Sequence, residues 1–449
     1  MFILHKSIIY CRGAEVKAID NQHNDGYNKF GIWISRRRSM TYIERAITPI
    51  LKKRVQNSKC VLVTGARQIG KSTLIKHDFP DYNRANFDDK LTRLQAREEP
   101  KLFFLNNPCP LFIDEVQKEN NVLEEIKLLV DESDERGRFI LSGSQKLELM
   151  KGMSESLAGR VSITELSGLS MREIHNVKFN RHFVPTSEYL QEREKEIRPY
   201  DKLWETIHKG FYPELYDVER EWQEYYSSYV STYLERDINE LISADSITFT
   251  KFLTAVAART GEMLNYANIA GEVGVSELTV KNWISILERT GIVYLLQPYS
   301  ASALNRAIKT PKIYFRDTGL ACYLTRWLTA EALKCSAVAG NMFETFVVSE
   351  ILKSYTNEGK DYRFHIFYYR GKDKTTSAEN EIDLIVEEDG VLYPVEIKMS
   401  GNPKASMGAT NPVLDKIKDK SRGMGIILCL IDKKTYLREN LIALPIEYV

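Results

Sequence analysis

No two of the six cysteines (Cys11, Cys60, Cys109, Cys322, Cys335 and Cys429) form a C-x-x-C pair. That spacing gives no zinc site and points to a reducing compartment. Long apolar runs are also missing. Gly425–Ile431 is among the longest, against the about 20 residues needed to cross a bilayer. Met1–Tyr10 lacks the sustained apolar stretch and small-residue cleavage site of a secretory leader, so neither membrane span nor leader is expected and the setting is read as cytoplasmic. No sign of charge dominates: 62 Lys+Arg stand against 61 Asp+Glu, a net charge of +1, so a nucleic-acid surface would have to be local. Internal repeats and low-complexity tracts are lacking too. What remains is a chain of 449 residues, 43% hydrophobic and 27% charged, with material for two to four domains of about 100–200 residues each.

Residues 1–39 have neither helical nor strand periodicity and are locally basic (Lys6, Arg12, Lys17, Lys29, Arg36, Arg37, Arg38), as expected of a poorly ordered extension; a nucleic-acid-binding arm is the alternative. The folded part is expected from Met40. Between Cys60 and Leu166, short apolar runs (Cys60–Thr64, Arg84–Phe87, Leu111–Ile113, Phe139–Leu141, Val161–Leu166) alternate with helical stretches, which predicts a doubly wound parallel α/β sheet over 40–175. A helical region follows over 176–247. Its long helix, Trp222–Leu241, carries Trp222, Tyr225, Tyr226, Tyr229, Tyr233 and Leu234 at core-facing spacing.

Val61–Thr73 contains G-x-x-x-x-G-K-[ST] between an apolar strand and a helix, where a phosphate-binding loop must lie. Gly65 and Gly70 let the backbone through Ala66, Arg67, Gln68 and Ile69 curl its N–H groups toward phosphate, and the helix that follows, starting Lys71-Ser72-Thr73, adds its positive end. Lys71 is expected on the β- and γ-phosphates and Ser72 on Mg2+. Pro110–Glu115 is an apolar strand ending in two carboxylates: Asp114 is expected to hold the magnesium, and Glu115 to polarise the attacking water. After the run Phe139–Leu141, Ser144 could contact the γ-phosphate or serve as a helix N-cap. Arg160 could stabilise transition-state charge in its own or a neighbouring subunit, or form a surface salt bridge.

Gly65–Thr73, Leu111–Glu115, Leu141–Gln145 and Leu157–Arg160 together resemble a widespread prokaryotic family of AAA+ ATPases, in which a P-loop domain is joined to a C-terminal domain of unknown function. Tyr233–Asp237, Tyr314–Leu320 and Gly340–Glu344 fit the same resemblance, which covers roughly Thr41 to Val449. It implies ATP rather than GTP, and no N-K-x-D guanine motif opposes that.

Leu264–Ser276 and Glu277–Thr290 read as two helices about a Gly turn, with Ser276 as N-cap and Gly291 before a strand, a winged-helix-like pattern over 248–300. In a DNA reader the second helix presents its first residues, here Glu277, Leu278, Thr279, Lys281 and Asn282, of which one is basic. DNA contact and a structural or protein-contacting role are both open.

In the last part, 301–449, the runs Glu381–Val386 and Tyr393–Lys398 flank Asp389-Gly390 and predict a hairpin. Alternation sets Glu396 and Lys398 on one face, within reach of Asp383. With Glu344 in the apolar helix Met342–Val348, this resembles the PD-(D/E)xK nuclease core. The resemblance implies Asp383 and Glu396 as Mg2+ ligands, Glu344 as an assisting carboxylate and Lys398 orienting the attacking water. A plain cross-strand ion pair is the alternative. The expectation is an ATP- and Mg2+-dependent machine acting on nucleic acid, DNA in particular, possible as a homo-oligomer; the rival is a nucleotide-switched scaffold with a catalytically silent tail.

Overall fold

The computed structural model describes residues 42–143, 157–217, 220–238, 245–300, 310–372 and 379–449; the basic stretch 1–39 and Ser144 lie outside them. Helix α1 (Thr48–Asn57) leads into β1 (Cys60–Thr64), and α2 (Lys71–Asp78) follows the glycine-framed loop. Then come β2 (Asn83–Asn86), α3 (Lys90–Glu98), α4 (Pro100–Asn106), β3 (Leu111–Asp114), α5 (Val122–Asp131), β4 (Phe139–Gly143) and β5 (Val161–Glu165). The five strands pair in parallel in the order β2-β3-β4-β1-β5, as the alternation of runs predicts.

Strands β1, β3 and β4 are buried along their whole length, which is why they read as unbroken apolar runs rather than alternating ones. Leu62, Ile113 and Leu141 pack on one side against Phe103, Leu123 and Ile126 of α4 and α5. Val61, Val63, Phe112 and Ile140 point the other way, into a larger core shared with α1, α2 and residues as distant as Tyr448. Thr41–Val449 is one compact unit.

The middle of the chain is helical: α6 (Leu203–Lys209), α7 (Trp222–Tyr229), α8 (Ser246–Ala257), then β6 (Glu262–Met263), α9 (Tyr266–Val273), α10 (Glu277–Arg289), β7 (Val293–Leu296), β8 (Lys312–Phe315) and α11 (Thr318–Leu324). The helix expected to run on to Leu241 changes winding at Val230, where a π-helical stretch, Val230–Ile238, takes over. Tyr225, Tyr226, Tyr229 and Tyr233 are all buried, and Tyr229 meets Tyr233 edge-on at 5.3 Å between ring centres. Asn265 and Ser276 cap α9 and α10, Gly274 turns between them at φ 83°, and Val280, Trp283, Ile284 and Leu287 are buried. Strands β6, β8 and β7 form a small antiparallel sheet beside this helix pair.

The tail begins with α12 (Ala339–Asn357). Strands β9 (Ile366–Lys372), β10 (Glu379–Glu388) and β11 (Val391–Lys398) form an antiparallel meander, and β12 (Ser421–Arg422), β13 (Gly425–Cys429), β14 (Thr435–Arg438) and β15 (Leu441–Pro445) complete the sheet. The predicted β10–β11 hairpin turns at Asp389 and Gly390, both in the left-handed region (φ 49° and 80°), as a two-residue I′ turn demands. The β9–β10 register slips between Ile382 and Ile385; a bulge of this kind re-aims a side chain, and Asp383 lies inside it.

Candidate functional site

The loop after β1 is shaped by what cannot fit there. Gly65 has φ 146°, and a Cβ on it would stand 2.3 Å from the Leu166 carbonyl oxygen and 2.5 Å from Ile69 Cδ1. Gln68 (φ 61°) and Gly70 (φ 89°) complete the curl, with Ala66 and Ile69 buried beneath and Gln68 and Thr73 exposed. Gly65→Ala is expected to cost about 1–3 kcal/mol of unfolding free energy in urea titration and to weaken nucleotide binding, since backbone rather than a flexible tip must move.

Lys71 is buried, and its ammonium donates to the Gly65 and Ala66 carbonyls at 3.0 and 2.8 Å. Burial pulls its pKa down to about 8, against the opposing pull of Glu115 and Asp114. The strand order then explains the next contact. Because β4 lies between β1 and β3, its C-terminal end faces both the start of α2 and Asp114. Asp114 Oδ1 accepts from Ser72 Oγ at 2.9 Å and from Ser142 Oγ. A hydroxyl and a carboxylate in contact are donors that Mg2+ takes, so the chemistry of this pair fits the ion, with phosphate and water completing its shell. Glu115 sits next to it at φ 56° and accepts from Gln117 Nε2 at 2.5 Å.

Ser144 lies outside the described residues, and Ser142 is thus a serine of this strand end found against the Asp114 carboxylate. Its signal in the sequence was the polar residue directly ending an apolar run. Arg160 is elsewhere. Residues 161–165 of β5 pair in parallel with 60–64 of β1, so Arg160 precedes the strand at the end of the sheet opposite the loop. There its guanidinium makes a two-pronged pair with Asp131 (2.6 and 3.0 Å), both side chains well exposed, so it does not reach the loop of its own chain.

Two other arginines were not foreseen, and the first of them braces the loop. Buried Arg45 donates from Nε to Glu173 (3.0 Å), from Nη1 to the Ile69 carbonyl (2.9 Å) and from Nη2 to the Ser167 carbonyl (2.6 Å). Arg316, just past β8, donates to Glu165 at the end of β5 (2.5 Å) and to the Tyr362 hydroxyl (2.6 Å). The Arg67 guanidinium lies 5.0 Å over the Tyr233 ring.

A second cluster lies in the tail. Asp383 and Glu396 are buried, and Lys398 Nζ stands 2.7 Å from Asp383 Oδ2 and 2.9 Å from Glu396 Oε2. The bulge lets Asp383 Oδ2 also accept from the Ile397 backbone N–H (2.9 Å). Burial, then the Asp383 charge, pushes Glu396 up to about 8; burial opposes the charge of Lys398, but the two carboxylates overcome it and raise its pKa. The predicted juxtaposition of Asp383, Glu396 and Lys398 is therefore present. Glu344 is turned differently. Its Oε1 accepts from Tyr314 (2.6 Å) and from Lys312 (3.3 Å), and burial raises its pKa. Among the described residues no group of three or more His, Cys, Asp or Glu is arranged to hold a metal ion, so Glu344 does not join the other two in one ligand set. Two carboxylates with substrate phosphate oxygens are nevertheless a common Mg2+ environment, which Asp383 and Glu396 fit once Lys398 gives up its place between them.

Residues 57–175 match the family model described as AAA domain. The match spans the phosphate loop, Asp114, Glu115 and Ser142, and this part of the chain is an ATP-binding P-loop ATPase domain of AAA type. Residues 200–331 match a Domain of unknown function (DUF8612), and 339–449 a Domain of unknown function (DUF4143). The Uncharacterized protein Rv2008c of Mycobacterium tuberculosis and the Uncharacterized protein Mb2031c of Mycobacterium bovis are each 28% identical over 374 residues, covering 81% of this chain and 76% of the relative. A solved structure with similarity is the Walker-type ATPase PABY2304 of Pyrococcus abyssi, 14% identical with a TM-score of 0.41, covering 63% of this chain and 96% of that one. Among the described residues no helix is long and apolar enough to cross a membrane.

Proposed function

We propose that the protein hydrolyses ATP with Mg2+ at the AAA domain and couples this to work on nucleic acid, with phosphodiester hydrolysis at Asp383, Glu396 and Lys398. The observation that carries the first half is the contact of Ser72, Asp114 and Ser142 beside the loop held by Lys71. Magnesium, when bound with ATP, supplies charge neutralisation on the phosphates; Ser72 and Asp114 would hold it. Lys71 binds the phosphates, and Glu115 takes the proton of the attacking water. Arg160 serves only a neighbouring copy's site in this reading, because in its own chain it faces away.

The second half rests on two carboxylates and a lysine on neighbouring strands, with Asp383 and Glu396 the residues that would hold Mg2+ and Lys398 the group that orients water. DNA is the proposed substrate. The helix pair α9–α10 supports contact only weakly, since Lys281 leans over the Tyr266 ring at 5.3 Å and the apolar Leu278 is 68% exposed on the first turn of α10. Two observations favour a scaffold reading: Lys398 bridges Asp383 and Glu396, and the Glu344 carboxylate is taken up by Tyr314 and Lys312.

Incubating supercoiled plasmid and single-stranded DNA with Mg2+, with and without ATP, separates the two. Cleavage is expected in the parent protein and at least about a hundred-fold slower in Asp383→Ala and Lys398→Ala. Cleavage that persists in both variants rejects the tail assignment, and none in the parent favours the scaffold.

A further inference from the structure

Lys312 is a cation that enters the tail from outside it. It lies on β8, before the 339–449 segment begins, and its side chain is only 4% exposed. Its ammonium stands 2.7 Å from Glu381 Oε1 on β10 and 3.3 Å from Glu344 Oε1 on α12, and 5.7 Å from the centre of the Tyr368 ring on β9. Tyr314, two residues along and therefore on the same face of β8, donates to the same Glu344 oxygen. Glu381 is two residues before Asp383, on the near side of the bulge that aims Asp383 at Ile397 and Lys398. One buried lysine thus joins the helix α12 to β10, the strand that carries Asp383.

A lone ammonium in this position would carry a desolvation cost of several kcal/mol; two carboxylates offset it, and taking either partner away leaves a buried charge. We propose that Lys312, seconded by Tyr314, is a positioning residue of the carboxylate centre: it clasps α12 to β10 so that Asp383 is held against Glu396 and Lys398, and a segment outside the C-terminal domain thereby completes the site. The proposal rests on the phosphodiester reading above. It does not ask Lys312 to touch substrate, which its burial forbids.

The test is Mn2+ binding by calorimetry on the full chain without nucleotide, comparing Lys312→Met, Lys312→Arg, Tyr314→Phe and Asp383→Asn. Removing a positive charge near Asp383 by itself tightens cation binding, so a purely electrostatic Lys312 gives Lys312→Met a higher affinity. A clasp gives the opposite sign: affinity falls by about ten-fold or more in Lys312→Met, as for other residues that orient metal ligands, and is restored in Lys312→Arg. ATP turnover stays at the parent rate in both. Should Lys312→Met fail to fold, Tyr314→Phe carries the comparison with no change of charge, and weaker Mn2+ binding is again expected. Unchanged or tighter binding in these variants, with binding lost in Asp383→Asn, overturns the clasp and leaves the phosphodiester reading standing. Binding that survives Asp383→Asn, or is absent in the parent, overturns the reading and the clasp together.

Discussion

Lys71→Ala is expected to abolish tight nucleotide binding, with at least a hundred-fold loss of affinity for an ATP analogue in calorimetry, about 2.7 kcal/mol or more. The reason lies in where the ammonium already is. It is buried against the Gly65 and Ala66 carbonyls, so it pins the curl that a phosphate must enter and supplies a full positive charge at the foot of that curl. The helix end of α2 and the loop N–H groups remain in the variant, but they carry only partial charge. A chain that keeps its far-ultraviolet spectrum and its melting temperature while losing the binding heat would place the loss at the phosphates. Nucleotide bound with parental affinity by Lys71→Ala would remove the basis for treating positions 65–73 as a phosphate site.

Glu115→Gln has the other large effect, and of a different kind. ATP is expected to bind as well as in the parent, while steady-state turnover falls by about 10²–10⁴, the range for loss of a positioned general base. Glutamine keeps the shape and the capacity to meet Gln117, so the local contact at 2.5 Å survives and only the proton acceptor is lost. The neighbouring carboxylate offers an internal contrast. Asp114 is tied to two serine hydroxyls, and its replacement by asparagine should reduce Mg2+-dependent nucleotide affinity instead of turnover at saturation. Parental turnover in Glu115→Gln would assign the base to another residue.

The phosphate loop was legible because its chemistry is local: two glycines, a lysine and a serine do their work within eight residues, and a single strand-to-helix turn orients all of them. The hairpin pair was legible for a related reason. Strand alternation and a two-residue turn fix which side chains meet, so Asp383, Glu396 and Lys398 could be placed on a shared surface from spacing alone. What the residues did not disclose depends on partners far along the chain. Arg45 meets Glu173 across 128 positions, and no pattern near either one marks the pair. Arg160 looked free to act because its partner Asp131 sits at the end of a separate helix, and only the parallel register of β1 and β5 shows which end of the sheet it occupies. Glu344 was drawn toward Asp383 by analogy of spacing, whereas Tyr314 and Lys312 claim its carboxylate from a strand some 30 residues earlier. The change of winding at Val230 likewise has no marker in an aromatic series that fits an ordinary helix.

The same face of β8 bears on how the protein can be taken apart. Lys312 and Tyr314 are spent on the tail, and Arg316, just past the strand, is spent on Glu165 at the end of β5 and on Tyr362. A recombinant fragment trimmed to 339–449 would therefore carry Glu344 and Glu381 stripped of their counter-ion, and one trimmed to 57–175 would carry Glu165 in the same condition. Dissection at those boundaries cuts through charge pairs rather than through a linker, whereas the compact unit Thr41–Val449 leaves them whole.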